Sequence, residues 1–375
     1  MELELSGDQR SFQQTVRKFL EAEAPLSLVR DLADDHGRLP DNYWSQGAEL
    51  GWTSMLVSEE DGGGSLAGRP LLDLVIVAEE MGRLLSPGPL IPCNVVAAAL
   101  ARSGSAEQRG TVLQEIVSGQ AIAAWAFAGP LGGWDADSVS MRAETDGDDF
   151  LLSGTKCYVE AGDLADHVLV TVWSDAGLTQ LILRSDTPGL TVEPVGSLDF
   201  SRRFATLHFD GVRVPSSALV GTAGGAADDV EHQLRIAIAL QCAETMGMLD
   251  QVFEKTLEYA QDRVAFGRQI GSYQAIKHRL ADHKLWLEAG HGLATALARA
   301  IQDGDAGAAE LASAAKAHIG DQAVSILQDC VHIHGGIGVT WEHDLHLYLR
   351  RATVNRVLFG DPAAHRERLC VLAGI

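Results

Sequence analysis

The sequence predicts an α+β chain of several domains: a helical N-terminal domain over residues 1–120, a central antiparallel β-barrel or sandwich over 121–222, and a C-terminal four-helix bundle over 223–375. Two observations carry this reading. Apolar residues recur at helical spacing in the first and last thirds and at alternate positions in the middle third. At 375 residues the chain is also too long for one ordinary core, so it divides.

Taken in order, Ser6-Gly7-Asp8-Gln9 opens the first helix, with Phe12, Val16, Phe19 and Leu20 at helical spacing behind it. Leu72 to Leu85 is apolar on nearly every side until Glu79-Glu80, which predicts a buried helix. Asp61-Gly62-Gly63-Gly64 reads as a surface turn rather than a ligand loop. In the middle third Val168, Val170 and Val172 alternate, as do Leu181 and Leu183, and Asp146-Gly147 and Asp210-Gly211 are hairpin signals. Pro215, Gly221, Gly224 and Gly225 mark the next boundary. Helices follow: one to about Arg263, one from an N-cap at Ser272 to Ile301 before the turn Asp303-Gly304-Asp305, one over roughly 307–331, and a last one carrying His346, Leu349 and Arg350. Long helices with short connections predict the bundle.

Hydrophobic residues make up 46% of the chain and charged residues 21%, values of a globular protein. The net charge of −22 argues against nucleic acid or an anionic membrane as partner, since both need clustered cations. Five scattered cysteines without a CxxC pair point to neither a disulfide framework nor a zinc site, and fit a reducing cytoplasm. The N-terminus, Met-Glu-Leu-Glu-Leu-Ser, is acidic and unlike a signal peptide, and no apolar run approaches the roughly 18 residues of a membrane span. A cytoplasmic protein is expected.

The most informative stretches are Arg263-Val264-Ala265-Phe266-Gly267 and His332-Ile333-His334-Gly335-Gly336-Ile337-Gly338. The first offers a planar cation for phosphate with an aromatic ring beside it; in the second, glycines interrupt helix on both sides and open the backbone to a ligand. Together, inside a helical half, they point to a dinucleotide held without a Rossmann domain. His332, His334, His343 and His346 with Glu342 and Asp344 raise a metal reading, but nothing fixes a ligand set and no metal is expected.

With Leu50-Gly51-Trp52, Ser58-Glu59-Glu60-Asp61-Gly62-Gly63, Glu79-Glu80-Met81-Gly82, Gly154-Thr155-Lys156 and Gln274, these motifs make the chain resemble the acyl-CoA dehydrogenases over nearly its whole length. The run from Gly338 through Trp341-Glu342-His343-Asp344 to Arg350-Arg351-Ala352 is similar to an actinobacterial subset acting on fatty acyl and steroid side-chain CoA esters. The resemblance implies FAD across a subunit boundary. The flavin ring sits against the β-domain of one chain, while a neighbour contributes the Arg-x-x-Phe-Gly turn, a Gln eleven residues after that Arg, and a Gln-x-x-Gly-Gly segment. Arg263, Phe266, Gln274, Gly335 and Gly336 fall on those positions, and His332 stands in place of the family's Gln. An acyl-CoA substrate and an electron-transfer flavoprotein-type acceptor are implied as well.

The flavin-facing half departs from the family. Its Thr-Glu-Pro-x-x-Gly-Ser-Asp run is here Ala128-Gly129-Pro130-Leu131-Gly132-Gly133-Trp134-Asp135, so two polar side chains are lost and a hydroxyl is replaced by indole bulk. Glu160 puts a carboxylate where the family has Ser or Thr. The chemistry needs a carboxylate to remove the α-proton of the thioester, yet the family's two base positions are Ala237 and Phe359; Glu244 and Asp361 are the fallback candidates. Four readings stay open. The chain is the non-catalytic subunit of an α2β2 heterotetramer that gives trans FAD contacts to a homologous subunit, which is favoured; or a homomeric acyl-CoA dehydrogenase with a displaced base; or another flavin enzyme, a monooxygenase or oxidase; or a scaffold without flavin. Small residues at Ala237, Ala239, Ala243 and Gly247 fit either a roomy acyl cavity or tight helix packing.

Overall fold

The computed structural model describes residues 5–35 and 39–375, without the side chains of 33–35; the acidic residues at the very start lie outside the described part. In chain order come α1 (Gly7–Glu23), α2 (Leu26–Asp35), α3 (Tyr43–Glu49), α4 (Pro70–Leu84), α5 (Leu90–Ser103), α6 (Ala106–Gly110) and α7 (Val112–Val117). Strands follow: β1 (Ala123–Ala126), β2 (Arg142–Asp146), β3 (Asp149–Glu160), β4 (His167–Ser174), β5 (Gly177–Arg184), β6 (Leu190–Val195), β7 (Phe204–Val214) and β8 (Leu219–Val220). The chain then returns to helix in α8 (Ala227–Asp262), α9 (Gln274–Gln302), α10 (Ala308–His334), α11 (Leu345–Val357) and α12 (Pro362–Leu372). The succession is helical, then β, then helical. No helix among the described residues is long and apolar enough to cross a membrane.

These elements form two compact units, each assembled from segments distant in sequence: Met1–Asp35, Val75–Ser86 and Ile238–Ile375 in the first, His36–Leu74 and Pro87–Ala237 in the second. In the first unit α1 begins with a capping box. Ser6 Oγ accepts from the Gln9 amide at 3.2 Å, and Gln9 Oε1 accepts from the Ser6 amide at 3.0 Å. Arg17 forks onto the buried Glu80 through two bonds of 2.7 Å, tying α1 to α4. The helices α4 and α8 touch backbone to backbone. A Cβ on Gly247 would stand 1.9 Å from the Glu79 carbonyl oxygen, and one on Gly82 would stand 1.9 Å from that of Glu244. Of the two readings of the small residues on α8, tight packing therefore holds at Gly247.

Further along, α9 starts one residue later than expected. Tyr273 is the N-cap and Ser272 belongs to a 3₁₀ turn, its hydroxyl donating to the Gln269 carbonyl at 2.6 Å. The Asp303–Asp305 turn is present, with Gly304 at φ +66°. Helix α10 continues beyond 331 to His334, so His332 and His334 occupy its last turn, and a short 3₁₀ stretch, Gly335–Val339, precedes α11.

In the second unit one sheet runs in the order β6-β7-β3-β2-β4-β5-β8, with β1 beside β4. Most pairs are antiparallel. The expectation of a purely antiparallel sheet needs correction at β1, which runs parallel to β4 from Ala123↔His167 to Ala126↔Val170, and at the parallel bridges Arg142↔Trp173 and Leu178↔Gly225. Parallel pairing needs a long connection, and the β2–β3 hairpin supplies it. Residues from β1 to β7, among them Ala124, Leu152, Val170, Leu181 and Leu207, share one core, so the sheet curls around them. Asp146-Gly147 makes the β2–β3 turn. Asp210-Gly211 does not turn the chain: it lies inside β7 as a bulge, where Leu152 and Gly154 of β3 face Val212 and Phe209, with Gly211 at φ +60°.

The interior of this unit contains an unusual amine. Lys156 is fully buried; its Nζ donates to the Phe127 carbonyl at 2.6 Å, and burial pushes the amine down to about 7.

Two stability measurements test this packing. Gly247→Ala should cost about 3 kcal/mol or more in denaturant unfolding, because its methyl group meets peptide backbone rather than a yielding side chain. Between about pH 7 and 10 the unfolded chain holds a proton on Lys156 that the folded chain lacks, so stability should rise with pH across that window. In Lys156→Met that slope should flatten; an unchanged slope would show that the amine is not the titrating group.

Candidate functional site

The residues that the sequence singles out for a cofactor lie around the end of α8 in the first unit. Its final turn carries Tyr259, whose hydroxyl donates to the His334 carbonyl at 3.2 Å while its ring stacks on the His334 imidazole, 4.3 Å between centroids. The chain then forms a minimal hairpin, Val264–Ala265 paired with Arg268–Gln269, with Phe266 (φ +53°) and Gly267 (φ +81°) at its tip. Tyr273 locks it by donating to the Ala265 carbonyl at 3.0 Å, and the Arg268 guanidinium lies 3.9 Å above the Tyr273 ring. Gln274 is exposed on the first turn of α9. Through Tyr259 this hairpin and the end of α10 are tied together, which gathers Arg263, Phe266, Gln274, His332, Gly335 and Gly336 into one corner.

That corner faces outward. Phe266 is 97% exposed, and Arg263, Gln274 and His332 are exposed too. The Arg263 guanidinium makes no hydrogen bond or ion pair among the described residues. Gly335, at φ +65°, and Gly336 have nothing within 4 Å of where a Cβ would be, so their peptide groups are open to approach. An unpartnered planar cation, an amide, an aromatic face and bare backbone suit a phosphate-bearing ligand with a flat ring.

The second unit's face is filled. Trp134 stacks on Phe127 with centroids 5.9 Å apart and planes 7° apart, and Trp125 packs against Phe127 at 5.0 Å. Ala128 and Gly129 are buried and bring only backbone; the Ala128 carbonyl accepts from the Cys157 amide at 2.9 Å. After Lys156 a bulge in β3 turns Tyr158 (φ +55°) outward. Glu160 does not present an isolated charge: Arg202 Nη1 donates to it at 3.1 Å, and Asp199 stands 4.0 Å from that guanidinium's Nε.

The two positions expected from the sequence to correspond to the base are Ala237 and Phe359. Ala237 is fully buried in the second unit. Phe359, buried in the first, takes φ +61°, a strained value for a bulky side chain. Glu244 is held by Arg351 Nη1 and by Asn355 Nδ2 at 3.0 Å, and all three side chains are buried. Asp361 is the N-cap of α12, accepting from the Ala364 amide at 2.8 Å. Both fallback carboxylates are thus engaged in structural bonds. Beside Glu244, Lys316 donates to Gln241 Oε1 and to the Asn355 carbonyl around a cavity of about 10 Å³, room for one water.

Two features escape a reading of the sequence. Arg351, Asn355 and Lys316 look like ordinary helix residues until the fold brings them to Glu244. Glu79, noted only as a motif letter, has no hydrogen-bond or ion-pair partner among the described residues. Burial pushes its carboxyl up to about 7, opposed by His291, which itself pairs with Asp250 at 3.0 Å. Among the described residues no group of His, Cys, Asp or Glu could hold a metal ion.

The family models for the acyl-CoA dehydrogenase N-terminal, middle and C-terminal domains match residues 6–120, 124–212 and 229–370. The acyl-CoA dehydrogenase IpdE2 of Mycobacterium tuberculosis is 30% identical over 366 residues, 96% of each chain. Among solved structures, a glutaryl-CoA dehydrogenase of Mycobacterium smegmatis in complex with FADH2 superposes with a TM-score of 0.90 at 25% identity, covering 99% of this chain and 96% of that one. A variant of a steroid acyl-CoA dehydrogenase, described as a pair of gene products, superposes with a TM-score of 0.87 at 28% identity, covering 98% and 97%. The aromatic hairpin, the glycine turn and the three matched domains lead to one conclusion: the chain belongs to the acyl-CoA dehydrogenase family.

Proposed function

We propose that this chain is the non-catalytic subunit of a heteromeric, FAD-dependent acyl-CoA dehydrogenase. In this reading its division near residues 120 and 222 follows the three family domains. The observation that carries the proposal is an asymmetry. The corner that would reach a neighbour's cofactor is open and unpartnered, whereas the face that would carry the chain's own flavin holds the Trp134–Phe127 stack.

The residues of the corner fit the adenosine diphosphate portion of FAD. Arg263 would grip phosphate oxygens through its fork, the Gly335–Gly336 amides would donate to them, Gln274 and His332 would hydrogen-bond around them, and Phe266 would cover an apolar part of the cofactor. FAD, when bound, supplies the hydride acceptor at the β-carbon of the acyl thioester. Ala128, Gly129 and Trp134 do not fit a flavin ring, since the first two bring no polar side chain and the third brings considerable bulk. Glu244 is held by Arg351 and Asn355 rather than free to take a proton, so the base that removes the α-proton is assigned to a homologous partner subunit. Fatty acyl or steroid side-chain CoA esters are the substrate class, with an electron-transfer flavoprotein as acceptor; the named activities of the similar proteins support this.

Purified alone, with FAD, a panel of acyl-CoA esters and an artificial electron acceptor, the chain should give no measurable turnover, since losing a general base alone costs roughly two to four orders of magnitude. Co-expression with a homologous subunit should restore it. Robust turnover by the isolated chain that disappears in Glu244→Gln or Asp361→Asn would reverse the assignment. In the assembled complex, Arg263→Ala should weaken flavin retention about tenfold or more, read as bound flavin after gel filtration; unchanged occupancy would remove the trans-contact role.

A further inference from the structure

The glycine turn is gripped from behind. His334, the last residue of α10 and 4% exposed, precedes Gly335 directly. Tyr259 holds it twice, by the 4.3 Å ring stack and by the 3.2 Å bond to its carbonyl. Tyr259 also accepts, through its own carbonyl, from the Arg263 amide at 2.9 Å, so one residue braces both halves of the corner. His334 Nδ1 lies 2.8 Å from the Cys330 carbonyl and must carry the proton to donate there. The edge of His343 meets the His334 ring at 5.0 Å and 61°. His343 Nδ1 accepts from the Leu345 amide at 3.3 Å, which requires that nitrogen to be unprotonated. Backbone groups thus select one neutral tautomer at each ring.

We propose that the Tyr259–His334–His343 stack is the positioning device of the Gly335–Gly336 turn, and that protonation of its imidazoles loosens the turn and releases the cofactor held there. The cofactor half of this inference rests on the flavin reading above.

The physical argument is local. Protonating His343 turns Nδ1 into a donor facing the Leu345 N–H, and a second imidazolium 5.0 Å away would repel the first. Burial holds His334 below the ordinary imidazole value, with His343 adding to the effect. His343 is also held low by burial; Asp344 favours its charge, while Lys255, Arg30 and His346 oppose it. Among the described residues no carboxylate acts on His334, and only the Cys330 carbonyl favours its charge. The closed arrangement is therefore complete above the ordinary imidazole value and is given up as pH falls below it.

Amide hydrogen exchange over residues 335–340 in the full chain tests this. Protection factors should fall about tenfold between roughly pH 7.5 and 5.5. In His334→Phe, which keeps an aromatic ring and removes one proton site, this response should shrink, and with His343→Phe added it should vanish; Tyr259→Leu should lower protection at both values. In wild type the two imidazoles, followed by NMR, should stay neutral to below about pH 6.5, a readout that needs no variant to fold. Titration at the ordinary value, an acid response that survives in His334→Phe and His343→Phe, or unchanged protection in Tyr259→Leu overturns the proposal. The assembled complex should lose flavin faster at the acid value, and more slowly when it carries His334→Phe. A turn that responds to acid while flavin stays bound supports the stack and overturns the trans-flavin reading instead.

Discussion

Helices α4 and α8 come together so closely that each places a peptide carbonyl where the other has no side chain. Glu79 presses on Gly247 and Glu244 on Gly82, a reciprocal contact that only glycine permits. Much else in the first unit is arranged around it. Glu80, next to one contact residue, receives the fork of Arg17 and so anchors α1. Glu244, whose carbonyl makes the other contact, sends its carboxylate to Arg351 and Asn355 of α11. Asp250, three residues beyond Gly247, meets His291 of α9. Each of these bonds offsets the desolvation cost of a polar side chain carried on one of the two helices.

The distribution of polar groups follows a division of labour. At Trp134, Ala128 and Gly129 this chain has indole, methyl and hydrogen. Where polar groups remain buried, they are turned toward one another, as in Glu160 with Arg202 and Glu244 with Arg351. Arg263, Gln274 and His332 lie exposed in the corner of the first unit. Pairing of this kind is needed inside a protein, because an unpaired buried charge is costly.

Much of this was legible in the chain itself where the determinant is local. The Ser6–Gln9 capping box, the buried α4 and the glycine turn after α10 follow from residues within a few positions of each other. Asp210-Gly211 misled because one dipeptide serves both a hairpin and a bulge, and only the register with β3 decides between them. The parallel pairing of β1 and the Glu244–Arg351 ion pair join residues tens to more than a hundred positions apart, which no period reveals. Trp134 was legible as bulk, but not as a ring lying flat on Phe127.

The exposed tip at Phe266 has a consequence for how such a chain must be produced. A phenylalanine 97% in water, on a left-handed turn beside a half-exposed Val264, leaves apolar surface for which water offers no compensation. Covering a ring of 150–250 Å² is worth several kcal/mol at about 25 cal/mol per Å². The same patch that rewards the right neighbour also rewards a wrong one. Any surface that covers Phe266 would keep this area from being spent on aggregation.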